Sequence, residues 1–165
     1  MRYTTRVRIL GIDPGMTRTG LGLIETMRKD EPKAIEWLTI ETSPRLPLAE
    51  RLRELASDLE RYLAETKPDL AVVEKLFFAT NKKTAMDVSH ARGVIMATLG
   101  ARGIEILEAT PLQLKMTVAG DGRADKKQVQ SMVKRTLKLN VIPTPADAAD
   151  GLALALYGAF TKKFT

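Results

Sequence analysis

The chain has 165 residues, 44% hydrophobic and 28% charged, the size and composition of one globular domain built on a single core. Its 26 Lys and Arg against 20 Asp and Glu give a formal net charge of +6, which favours a polyanionic partner without prescribing a fold. No apolar run approaches the roughly 20 residues that a membrane helix needs. The N-terminal M-R-Y-T-T-R-V-R lacks the apolar segment of a signal peptide, so export is not expected. The absence of cysteine excludes disulfides, thiolate metal sites and thiol nucleophiles.

Residues 7–13, V-R-I-L-G-I-D, read as a strand that Pro14 and Gly15 then turn sharply, so Asp13 sits at a strand end. Two more extended runs, residues 19–26 and 34–42, complete a three-strand meander expected to be antiparallel. Gly20 and Gly22 in the second run have two readings, close approach of a neighbour or substrate and a plain bulge, and the bulge is the more common case. Pro44 and Pro47 close the meander, after which Leu48, Leu52, Leu55, Leu59 and Leu63 recur at helical spacing up to Lys67 and Pro68. Residues 70–73 form a short continuous apolar run ending at Glu74, the pattern of a strand buried on both faces. A helical pattern over 81–102 and a strand over 104–109 come next, and Pro111 opens another helix at the position where proline is tolerated. The polar loop A-G-D-G-R-A-D leads to Asp125, which with Gln128 makes a helix N-cap and capping-box pair ahead of Val129, Met132, Val133 and Leu137 on one face.

After Pro143 and Pro145 a last helix spans 146–160, with Leu152, Ala155, Leu156 and Ala159 facing inward. No repeat or linker interrupts this order, so residues 1–165 are expected to form one domain. Three strands, helix, strand, helix, strand and then helices is the order of the ribonuclease H-like α/β fold. That fold has a mixed five-stranded sheet, the antiparallel meander plus two parallel strands, flanked by helices.

In that arrangement Asp13 and Glu74 leave adjacent strands at one sheet edge, and Asp147 and Asp150, in P-A-D-A-A-D-G, share one helix face there. Four carboxylates gathered in this way repel one another at neutral pH unless cations are bound, and all-oxygen donors suit a divalent ion that handles phosphates. In a two-metal site one ion activates the attacking water and the other steadies the leaving 3′ oxygen. Each acid also has a plainer reading. Asp13 before Pro-Gly could be a turn aspartate and Asp147 a helix cap. Glu74, abutting a buried run, and Asp150, leading into the apolar G-L-A-L-A-L, are harder to explain so and carry the stronger physical case for a metal site.

Positive charge concentrates between Glu74 and Asp147, where Lys82, Lys83, Lys115, Arg123 and Lys126 stand among other basic residues. Phe77 and Phe78 follow Glu74. An aromatic beside lysines can stack on a base, but core packing is the commoner role. His90 has no ligand partner and reads as structural.

The segments G-I-D-P-G-M-T-R-T-G-L-G, V-V-E-K-L-F-F-A-T-N, S-H-A-R-G-V, L-K-M-T-V-A-G-D-G-R-A-D-K-K-Q-V and A-D-A-A-D-G-L-A-L-A-L resemble, in order and spacing, the bacterial RuvC Holliday-junction resolvases. The resemblance implies a ribonuclease H-like homodimer of the cytoplasm and nucleoid, acting in recombination and repair. Such an enzyme resolves four-way DNA junctions by paired symmetric nicks that leave 5′-phosphate and 3′-hydroxyl ends. It implies catalytic and metal-binding roles for Asp13, Glu74, Asp147 and Asp150, with two Mg²⁺ ions per site and Mn²⁺ as a substitute. Phe77 becomes the aromatic that stacks near the crossover, Lys115 and Lys126 become contacts to phosphate, and Lys82, Lys83 and Arg123 further DNA contacts. The helix around residues 90–99 falls where the family dimerises, and RuvA and RuvB are the implied branch-migration partners. Lys75 departs from the family pattern, and strand alternation should point it away from the site. Two other readings compete: one lobe of an actin-like or sugar-kinase ATPase, and a catalytically silent junction-binding protein.

Overall fold

The first two strands, β1 (Val7–Asp13) and β2 (Arg18–Thr26), pair antiparallel along their whole length, from Val7 opposite Thr26 to Asp13 opposite Gly20. A third, β3 (Lys33–Glu41), pairs antiparallel with β2. The computed structural model describes residues 6–27, 31–75 and 82–164, the side chain of Lys83 excepted. Helix α1 (Leu48–Thr66) carries the chain across the sheet to β4 (Leu70–Glu74), which lies parallel to β1. Helix α2 (Lys82–Ala101) then leads to β5 (Glu105–Ala109), parallel to β4. The sheet order is β3-β2-β1-β4-β5. Three further helices follow, α3 (Pro111–Ala119), α4 (Lys126–Thr136) and α5 (Ala146–Thr161). This is the expected ribonuclease H-like sheet, with each observed boundary within about a residue of its expected place. The N-terminal end expected for α2, Asn81, lies outside the described residues.

Alternation along the strands divides the core into two layers. Leu10, Ile12, Leu21, Leu23, Ala71 and Val73 face α1 and α2, meeting Leu55, Leu59 and Leu63 of the predicted leucine stripe and Ile95 and Leu99. Ile9, Ile24, Leu70 and Val72 face the other way, toward α5 and, beyond it, α3 and α4. Each fully buried leucine or isoleucine contributes on the order of 1.5–3 kcal/mol by leaving water. Asp13 has the parity of Ile9, and Glu74 that of Leu70 and Val72, so the pleat aims both acids at the α5 side. Lys75 has the opposite parity and is exposed, as alternation predicts.

Helix α5 is largely buried, as its apolar G-L-A-L-A-L run leads one to expect, and more completely than the inward face of Leu152, Ala155, Leu156 and Ala159 implies. Residues 148, 149 and 151–159 are all buried, because α5 is a middle layer between the sheet and the outer pair α3 and α4. A helix apolar on every side is the form such a position demands.

Its approach to the sheet corrects the reading of Gly20 and Gly22. The irregularity in β2 falls between Leu23 and Ile24, not at the glycines. A Cβ on Gly20 would lie 1.8 Å from the Asp147 carbonyl oxygen, one on Gly22 2.2 Å from the Leu152 nitrogen, and one on Gly11 1.8 Å from the Gly151 carbonyl oxygen. Gly151 on α5 completes the seam, its own Cβ position lying 2.6 Å from the Gly22 nitrogen. Helix and sheet thus touch backbone to backbone, which only glycine permits.

Candidate active site

Each acid is delivered by a different local device. Asp13 is the last paired residue of β1, not a loose turn residue. The turn after it is tied down by Thr19, whose hydroxyl donates to the Gly15 carbonyl at 2.9 Å, and by Arg51 of α1. Arg51 donates from Nε to the Thr42 hydroxyl and from Nη2 to the Thr17 hydroxyl, both at 3.1 Å. Glu74 ends β4 opposite Ala109 of β5. Asp147 lies in the first turn of α5 and Asp150 one turn on; the helix has no side-chain cap, so Asp147 is not held there as one.

The structure brings Asp13, Asp147 and Asp150 together, with one carboxylate oxygen of each lying within 4.8 Å of the others, all half-buried. Glu74 stands beside this triad and joins it through a side-chain hydrogen bond with Asp13. Glu74 and Asp150 have the stronger case from sequence, but the geometry makes Asp13, which shares side-chain hydrogen bonds with both, the hub. Burial, then the charges of Glu74, Asp150 and Asp147, push its carboxyl up to about 9. Burial also raises Glu74 and raises Asp150, the latter against the opposing pull of Lys126. Neighbouring carboxylates reach such contacts only by sharing a proton or a cation.

Lys126, the first residue of α4, places Nζ 3.2 Å from Asp150 Oδ2, and its own pKa is raised although burial works against this, because Asp150, Asp13 and Asp147 outweigh it. Its position follows from the predicted Asp125–Gln128 capping box, which is present with both hydrogen bonds at 2.8 Å. A second capping box, Thr110 with Gln113, starts α3 and sets Lys115. Its T-P-L-Q signature was legible in the sequence and was read only as a proline start. Lys115 and Lys126 line a cavity of about 220 Å³ with Glu74 and Asp150, walled by Leu114, Val129 and Leu154.

Of the other expected DNA contacts, Lys82 and Arg123 do not join the cluster. Lys82 and Arg123 are exposed, Arg123 in the loop before α4, where its backbone N–H donates to Asp121. Phe77 and the Lys83 side chain lie outside the described residues. His90, read as structural, is exposed on α2. Sequence reasoning ranked close approach at Gly20 and Gly22 below a bulge, and it missed the Arg51 anchor of the turn after Asp13, for which no local pattern exists.

A family profile described as crossover junction endodeoxyribonuclease RuvC matches residues 9–157. A protein of that name from Caldicellulosiruptor saccharolyticus is 46% identical over 150 residues, covering 91% of this chain and 90% of its own. One from Alkaliphilus oremlandii is 45% identical over 157 residues, covering 95% of each. Among solved structures, Thermus thermophilus RuvC in complex with a Holliday junction substrate superposes with a TM-score of 0.88 at 32% identity, covering 93% of both chains. Neither the ATPase-lobe reading nor the silent binding protein is favoured by these matches. Among the described residues no helix is long and apolar enough to cross a membrane. The chain belongs to the RuvC family of crossover junction endodeoxyribonucleases, the nucleases that resolve Holliday junctions.

Proposed function

We propose that the chain works as a homodimer that nicks a four-way DNA junction symmetrically, with Asp13, Glu74, Asp147 and Asp150 as the catalytic, cation-holding acids of each site. The convergence of the Asp13, Asp147 and Asp150 oxygens within 4.8 Å carries this reading. The donors fit a hard divalent ion: all are carboxylate oxygens, and burial has raised the pKa of Asp13 and Asp150, a cost that a bound cation relieves. Mg²⁺, two ions per site, with Mn²⁺ as a substitute, suits that set and would supply Lewis acidity at the attacked phosphate.

In the reaction a water oxygen bonds to phosphorus and the P–O3′ bond breaks, leaving a 5′ phosphate and a 3′ hydroxyl. Lys115 and Lys126 offer positive charge to the phosphate oxygens from the wall of the same cavity. Lys82, Lys83 and Arg123 extend a basic face along the DNA, and Phe77 stacks on a base near the crossover. Two sites about a two-fold axis match the symmetry of the junction, with the α2 face as the dimer contact. Residues 1–165 make one nuclease domain, which works in the cytoplasm at the nucleoid beside RuvA and RuvB.

With Mg²⁺, the purified protein cuts a synthetic four-way junction into two nicked duplexes and leaves linear duplex of the same sequence intact. Equal cutting of both substrates would sink junction selectivity. Junction affinity falls steeply between about 50 and 200 mM salt, since phosphate contacts release counterions; a flat response would remove the basic-face argument.

Lys126→Ala lowers the single-turnover cleavage rate by about 10²-fold, the typical value of one transition-state charge donor, and weakens junction binding far less. Equal losses in rate and affinity would make Lys126 an ordinary phosphate anchor.

A further inference from the structure

On the sheet face opposite α5, Arg92 of α2 reaches the end of the strand that delivers Glu74. Its Nε donates to the Glu74 carbonyl oxygen at 3.1 Å, and its Nη2 pairs with the Glu108 carboxylate on β5. Both partners are only partly exposed, Arg92 at 21% and Glu108 at 35%, so water competes less with the pair than it would at the surface. The β1 ladder stops one residue short, at Ile12 opposite Val73, so β1 does not pair with Glu74. From the other side β5 continues one step further, the Lys75 N–H donating to the Ala109 carbonyl at 2.8 Å. The Glu74 backbone is therefore held by β5 and by one guanidinium, with no ladder partner on β1, at the point where its side chain must turn toward Asp13.

We propose that Arg92 is a positioning residue for cleavage: its planar fork, fixed on Glu108, clamps the Glu74 peptide and so aims the Glu74 carboxylate at Asp13 from behind the sheet. A lysine would keep the charge but could not bridge a carbonyl and a carboxylate in one fixed plane. The inference rests on Glu74 being an acid of the active site, as proposed above.

Three variants, Arg92→Lys, Arg92→Ala and Glu108→Gln, test it by single-turnover cleavage, junction affinity without divalent ions, thermal melting, and calorimetric titration of the DNA-free protein with Mn²⁺. Arg92→Lys and Arg92→Ala should cut about 10- to 100-fold more slowly at temperatures well below melting, the scale expected when an active group is misplaced by about an ångström. Their junction affinity should stay within about 2-fold of wild type, their Mn²⁺ affinity should fall several-fold, and Glu108→Gln should show a smaller loss in the same direction.

Wild-type cleavage and Mn²⁺ affinity in Arg92→Lys overturn the assignment. So does a loss of cleavage that merely tracks the unfolded fraction, which would leave Arg92 as a brace between α2 and the sheet. If Arg92→Ala does not fold, Arg92→Lys and Glu108→Gln decide the matter alone. A wild-type protein that fails to cut junctions refutes the proposed function; a wild type that cuts, with Arg92→Lys equal to it, refutes only the positioning role.

Discussion

Asp13→Asn abolishes junction cleavage, by about 10³-fold or more, while leaving junction binding intact and raising the melting temperature of the metal-free protein at neutral pH. The first effect follows from the hub position: the other acids lie around Asp13, and losing its charge would remove a ligand of the proposed cation, which would contribute several kcal/mol of transition-state stabilisation. The second follows from linkage. The Asp13 carboxyl gives up its proton near 4 in the unfolded chain and only at about 9 in the folded one, so between those values the native state holds the extra proton. Stability is fully present below pH 4 and declines as pH rises toward 9. In chelator, the wild-type melting temperature should therefore fall across pH 5 to 9, and Mg²⁺ should restore most at the alkaline end. Asn keeps the shape of the side chain without the charge, so the decline should flatten and the Mg²⁺ response shrink. An unchanged slope in Asp13→Asn, or cleavage at a tenth of the wild-type rate, would mean that Asp13 is not the centre of the cluster.

Gly22→Ala tests the seam that admits α5. The added Cβ would sit 2.2 Å from the Leu152 nitrogen, 2.5 Å from the Gly151 carbonyl carbon and 2.6 Å from the Leu152 Cα, all backbone atoms of a buried helix. No side chain can swing aside to relieve this, so α5 must shift as a body, carrying Asp147 and Asp150 with it. Overpacking of this kind costs about 1–3 kcal/mol, seen as a lower melting temperature. Displacing two acids by about an ångström should slow cleavage by about 10²-fold in the fraction that remains folded. Gly100→Ala, in the last turn of α2 with nothing within 4 Å of its Cβ position, serves as the control and should gain about 0.5–1 kcal/mol. Were Gly22→Ala to melt and cut like wild type, α5 would not be fixed by backbone contact.

The legible parts of the fold were those written in local pattern. The leucine stripe of α1 was read from residues within one element, and so were the unbroken apolar run of β4 and the Asp125–Gln128 box; each stands where expected because its cause is local. The misreadings concern contacts between distant segments. Gly20 and Gly22 look like a bulge until a helix more than a hundred residues later is laid against them. The all-round burial of α5 depends on α3 and α4 closing over it, which periodicity within α5 does not express. Arg92 looks like any helix arginine, because its partners, a carbonyl on β4 and a carboxylate on β5, meet only when both strands join the sheet.

By itself the sequence determined the elements, their order and the four acids with their basic surroundings, because hydrophobic period, turn chemistry and strand-end carboxylates are properties of short segments. The tertiary structure decided which acids share a site and which one is its hub. That outcome depends on the parity of β1 and β4, on how closely α5 can approach through glycine, and on the shared burial that raises the Asp13 carboxyl to about 9. Desolvation and mutual repulsion belong to the assembled cluster, and no single segment contains them.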